Sequence, residues 1–225
     1  MLILQFILGA TLGSFFYASY SRRLVGQSLL TPARSKCDSC DETIEWYHLL
    51  PILSYIILHG HCKWCGQRIP KATLLAEIYF ACLLVCWQPT LPSTLDLIAG
   101  LILFFAAISD NRYMAFPAIY CWLLMMVSAA ANLLNGSPNS AIILVVLLWF
   151  ALQFIDINNR YVGAGDLDIL LSLFILHGLN ALGWLLLLSS AFALVTSLVI
   201  KQRRLAFVPF MALSYLLELG YQILT

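Results

Sequence analysis

Long apolar runs dominate this chain, and short polar breaks separate them, with one exception near the N-terminus. Runs close to the roughly 20 residues that cross a bilayer as a helix fall at about 1–20, 73–88, 94–109, 116–134, 140–156, 167–177, 180–200 and 205–223. The pattern predicts an all-α polytopic membrane protein, a bundle of about eight transmembrane helices in which the sixth is short. The exception is residues 21–72, the one sizeable polar segment. It divides the chain into a first transmembrane helix (1–20), a polar loop (21–72) and a helical core (73–225).

Composition points the same way. With 62% hydrophobic and only 10% charged residues, the chain lies far outside the range of a soluble globular domain. Its first run has no basic residue before it and Arg22–Arg23 after it, the reverse of a cleavable secretory signal, so it reads as a retained helix with its N-terminus outside.

The 12 basic residues then orient the bundle. Arg22, Arg23, Arg34, Lys36, Lys63, Arg68 and Lys71 lie in the first loop, and Arg112, Arg160, Lys201, Arg203 and Arg204 in later ones. Eight alternating spans put all of them on one side, while the opposite loops QPTLPS, NGSPNS and HGLN carry none. By the positive-inside rule that side is cytoplasmic, which leaves both termini outside. A net charge of +1 gives no support to nucleic-acid binding.

Within the polar loop stand CDSC (Cys37, Cys40) and CKWC (Cys62, Cys65), 21 residues apart. Two such knuckles supply four thiolates, enough to close a tetrahedral structural zinc site that would stabilise a loop too short for much of an apolar core. Disulfides are the competing reading, but they rarely persist in the reducing cytoplasm. His48, His59 and His61 read as solvated, with His61 the one alternative ligand in place of Cys62. Cys82, Cys86 and Cys121 lie in apolar runs and read as small core residues.

Most of the 11 acidic residues sit beside the loop or at helix ends. Glu77, Asp110, Asp156, Asp166 and Asp168 are the ones close to membrane segments on the cytoplasmic side. Asp110 ends the third span in AISDNRYMAFP, and Asp166 opens the sixth in GAGDLD, after Gly163 and Gly165. Brought together, two carboxylates would share one proton, as an aspartic protease requires: one takes a proton from the attacking water and the other hydrogen-bonds the peptide carbonyl. Taken alone, GxGD reads more readily as a capping aspartate after a glycine turn than as a catalytic acid.

The motifs combined are more specific. GSFF at the end of the first helix, the four-cysteine loop, EWYHLLP after it, Glu77 opening the second helix, Asp110 ahead of Phe116–Pro117, and Asp166 in GxGD together resemble the bacterial prepilin peptidases, over about residues 9–170. Short chains of this kind resemble the competence-type members of Gram-positive bacteria. The resemblance implies a GxGD membrane aspartic endopeptidase with Asp110 and Asp166 catalytic, which removes the basic leader from prepilin or pseudopilin precursors at the cytoplasmic face. Many members also methylate the new N-terminus from S-adenosylmethionine, an activity associated with the cysteine loop. No nucleotide-binding glycine pattern supports that activity independently.

Glu77 is a candidate ligand for the new amine or an interfacial acid, and Asp156 is a secondary candidate because IDINNRY echoes ISDNRY. The chain departs from the family at Asp168, where lysine is usual, and at Ala118 and Tyr17. Two positions on, Asp168 points away from Asp166 on a helix, so it reads as a modifier. A presenilin-type protease would need a tyrosine–aspartate pair on the preceding helix, which this chain lacks. The readings from other classes are an ion-coupled transporter using its interfacial acids and a non-catalytic pilus or competence assembly component.

Overall fold

A computed structural model of the chain describes residues 1–24, 26, 35–37, 39–135, 147, 149, 163–201 and 205–224. Among them there are seven α-helices and no strand: α1 (Leu2–Leu24), α2 (Leu53–Ile57), α3 (Lys71–Cys86), α4 (Leu91–Tyr113), α5 (Ile119–Asn135), α6 (Ala164–Ile200) and α7 (Val208–Leu224). Of these, α1, α4 and α6 are long and apolar enough to cross a membrane. The span expected at 140–156 falls outside the described residues except for Leu147 and Trp149, both helical.

The chain divides into two compact units, Met1–Cys86 and Trp87–Thr225. In the first, α1 packs against α3. Gly9 and Gly13 make the approach possible: a Cβ on Gly9 would overlap the Phe80 carbonyl oxygen, and one on Gly13 would lie 2.5 Å from that of Ala76. This is a small-xxx-small seam, which lets backbones touch where lipid offers no hydrophobic drive for helix association. Helix α1 runs past the expected residue 20 to Leu24, so Arg22 and Arg23 sit in its last turn, where their charge complements the helix dipole.

In the second unit α4 packs on α5 and α7, and α6 packs on α5 and α7. Leu103, Leu124, Val208, Met211 and Tyr215 are wholly enclosed at these seams. Tyr215 carries its hydroxyl inward and donates it to the Asp96 carbonyl at 3.1 Å, the partner a buried phenol requires. Helix α4 begins at the Thr90 cap, followed by Pro at the first turn, and extends a turn beyond the expected residue 109. Asp110 therefore lies inside the helix.

The expected sixth and seventh spans are joined. A single residue separates the arms 164–177 and 179–200, Gly178, whose φ of 84° and ψ of −174° break the helix. Only glycine adopts that conformation without steric cost, so the expected polar loop HGLN contracts to one residue.

Candidate functional site

Asp110 is buried in the last turn of α4. That turn closes at Met114, a left-handed cap (φ 53°) whose N–H bonds the Asp110 carbonyl at 2.8 Å. The side chain has a different partner. Its Oδ2 accepts the Val208 N–H at 3.1 Å, and the Phe207 N–H also reaches the carboxylate. Asp110 thus caps the N-terminus of α7 from 98 residues away, where unsatisfied N–H groups and the helix dipole favour a negative charge.

Asp166 occupies the third position of α6, after Gly163 at the cap. Its carboxylate accepts the Gly163 N–H, and its own N–H bonds the Gly163 carbonyl at 3.1 Å, a reciprocal capping arrangement. The two acids are close enough that the charge of Asp110 acts directly on Asp166.

One apolar contact joins the two motifs. The Phe116 ring lies against Gly165, so closely that a Cβ there would come 2.6 Å from Cζ. The Cys121 thiol also approaches the Gly165 carbonyl, at 3.9 Å. The glycine between cap and acid is therefore needed for close approach rather than for an unusual φ.

Asp168 faces a different set of groups. Its Oδ1 accepts Trp149 Nε1 at 3.0 Å, the Cys121 thiol also reaches it, and its carbonyl takes the Ser172 hydroxyl at 2.8 Å. Glu77, in the other unit, is buried on α3, and its Oε2 accepts the Ile52 N–H at 2.7 Å while Ser14 donates to the same carboxylate. Asp156 lies outside the described residues. The sequence reading missed the backbone donors at 207–208 and the Trp149–Asp168 bond. Neither has a local signature, since both depend on which helices become neighbours.

The four cysteines converge. Ligand atoms of Cys37, Cys40, Cys62 and Cys65 all lie within 4.8 Å of one another, and Cys37 Sγ is 3.8 Å from Cys65 Sγ. A tetrahedral ion about 2.3 Å from each sulfur sets sulfur–sulfur separations of about 3.8 Å, so the cluster fits a zinc-sized cation.

The two knuckles repeat each other bond for bond. Cys37 N–H bonds the Glu42 carbonyl (3.0 Å) as Cys62 N–H bonds that of Gln67 (2.8 Å). Asp41 N–H returns to the Cys37 carbonyl (2.9 Å) as Gly66 N–H returns to that of Cys62 (3.0 Å). Asp41 and Gly66 both turn at positive φ, 55° and 69°. Backbone N–H groups of Cys65 and Trp64 push the Cys62 thiol down to about 7, which favours the thiolate that a metal needs. At Cys40 the Glu42 backbone also favours the thiolate, but desolvation and the neighbouring sulfurs outweigh it and push the thiol up to about 12.

With this geometry in hand, residues 7–89 match the family model for the bacterial peptidase A24 N-terminal domain. The chain is 29% identical to the prepilin leader peptidase/N-methyltransferase of Bacillus subtilis, over 98% of this chain and 94% of that one. It is 26% identical to the protein of the same name in Vibrio cholerae, over 72% and 69%, and 29% identical to that of Klebsiella pneumoniae, over 82% and 89%. The chain is similar to prepilin leader peptidases along nearly its whole length. Its A24 N-terminal match takes in α1, the four-cysteine knuckles and α3, whereas both aspartates lie beyond it, within the reach of the full-length B. subtilis relative. No solved structure matches this chain.

Proposed function

We propose that this chain is a membrane aspartic endopeptidase that cleaves the basic leader from prepilin-like precursors, with Asp110 and Asp166 as its catalytic pair. The observation that carries the reading is that Asp110, on a separate helix, lies near enough for its charge to act on Asp166, while the Phe116 ring that follows Asp110 packs against Gly165 beside it. Close carboxylates share a proton. The ionised member takes a proton from water as its oxygen attacks the scissile carbonyl carbon. The protonated member hydrogen-bonds the carbonyl oxygen, and a proton then passes to the leaving amine as the C–N bond breaks.

In this reading about eight spans form the bundle, with the two arms of α6 on either side of Gly178 counted separately, residues 73–225 are the peptidase core, and the loop of residues 21–72 lies in the cytoplasm, as the basic residues suggest. A competence pseudopilin is the substrate we assign, on the resemblance of this short chain to the competence-type members. Zinc is the ion we assign to Cys37, Cys40, Cys62 and Cys65; it would act structurally, since four thiolates leave no position for a substrate water. Methylation of the new N-terminus from S-adenosylmethionine is extended to this chain from the N-methyltransferase activity named for its relatives, and no residue is assigned to the methyl donor.

The test is to incubate purified chain with a prepilin, with and without S-adenosylmethionine, and weigh the products. Cleavage should be lost in Asp110→Asn and Asp166→Asn, and a methyl mass should appear only with the donor. Unchanged processing by either variant rejects the assignment.

A further inference from the structure

The segment between the two knuckles has an unusual surface for a polar loop. Helix α2 buries no side chain, although four of its five residues, Leu53, Tyr55, Ile56 and Ile57, are apolar or aromatic. Leu49, Leu50, Leu53, Ile56 and Ile57 are 44–65% exposed, and within α2 the three- and four-residue spacing puts Leu53, Ile56 and Ile57 on one side. In water such a face would be a costly patch.

The backbone of the segment is pinned beside a membrane helix. Ile52 takes a positive φ of 63°, costly for a β-branched residue, and its N–H bonds Glu77 on α3 at 2.7 Å. Glu77 lies six residues into α3, roughly 9 Å along the axis from Lys71 at 1.5 Å per residue. The segment therefore runs beside α3 rather than extending into solvent. The outward residues of α3, Leu75 and Ile78, are exposed to a similar degree, 65% and 41%. Exposed apolar side chains thus stand both on α2 and on α3, the helix of the span expected at 73–88.

The surroundings match a headgroup layer. Lys63 sits over the rings of Tyr47 and Trp64, at 5.8 and 5.5 Å, and all three are solvent-exposed. Aromatic rings with an adjacent cation are what membrane interfaces select.

We infer that residues 47–58 form an interfacial anchor that lies in the phospholipid surface of the leaflet entered by α3, with Leu49, Leu53, Ile56 and Ile57 among the acyl chains and Lys63 among the headgroups. The anchor would hold the four-cysteine knuckles against the membrane. It does not depend on the peptidase reading.

The experiment uses the unmodified full chain in nanodiscs that contain a phosphatidylcholine with an acyl-chain diazirine. After irradiation, adducts are mapped by mass spectrometry. Adducts on residues 49–57 should fall within about threefold of those around Leu75 and exceed those on the 64–68 knuckle by about tenfold. Labelling no higher than at that knuckle overturns the anchor, and lipid labelling of this face that is lost when a prepilin is added would make it a protein-docking surface. In the variant Ile56→Asp/Ile57→Asp, segment labelling should fall about tenfold with Leu75 labelling unchanged, and a segment that stays labelled also overturns the proposal. In phosphatidylglycerol discs Lys63→Glu should lower labelling by about threefold, and equal labelling rejects the headgroup role.

Discussion

Asp110 Oδ2 accepts the backbone N–H of Val208 at 3.1 Å, so a proposed catalytic acid also holds the start of another helix. The two roles separate by substitution. Asp110→Asn keeps an oxygen acceptor for Val208, so stability in detergent should change by less than about 1 kcal/mol while prepilin cleavage falls by at least about a thousandfold. Asp110→Leu should lose cleavage and also about 1–3 kcal/mol, because the α7 N–H groups are left without that partner. Thermal unfolding beside a cleavage assay reads both, and an active Asn variant contradicts the pairing.

Gly165 and Phe116 should behave as a coupled pair. Gly165→Ala places a methyl into the Phe116 ring, at a cost of roughly 1–3 kcal/mol and much of the activity. Phe116→Leu made in the same chain should restore part of both. A double-mutant cycle with a coupling near zero would show that the ring does not set the tolerance at residue 165.

Asp168 stands where the family usually has lysine, and its carboxylate is held by Trp149 and Cys121. Asp168→Asn retains an acceptor for Trp149 and should keep cleavage within about threefold of the parent, in contrast to Asp166→Asn. A loss as deep as that of Asp166→Asn, measured on the same prepilin, would move Asp168 into the catalytic group.

The sulfur cluster should carry one zinc per chain by elemental analysis. Affinity should fall as the solution is made more acidic, because protons compete with the metal for the thiolates. Cys62 is depressed from 9.0 to about 7, so acidification protonates it as pH falls through about 7 and reduces its share of the binding there. Cys62→Ser should lower zinc content severalfold, and a metal-free parent chain would refute the site.

Gly9→Leu should force α1 away from α3, where a Cβ meets the Phe80 backbone. Backbone atoms cannot yield as side chains do, so a loss of more than about 2 kcal/mol is expected, against less than about 0.5 kcal/mol for the outward-facing Ile3→Leu. Unfolding midpoints in detergent give the comparison.

The sequence by itself determined the class of the protein, because the length and polarity of a helix that meets lipid are local properties of the chain. It also carried the cysteine knuckles, whose turns are built within six residues, and the glycine turn ahead of Asp166. Other features depend on neighbours distant in sequence, and only the tertiary structure decided them: the cap that Asp110 gives α7, the Phe116 ring over Gly165, and the bond from Glu77 to Ile52. The join of the sixth and seventh runs at Gly178 belongs with these, since HGLN accommodates a polar loop and a one-residue break equally well. Apolar periodicity says that a face is buried or meets lipid. Which partner it meets is fixed by the packing of the whole bundle, where each contact is weak and only their sum selects one arrangement.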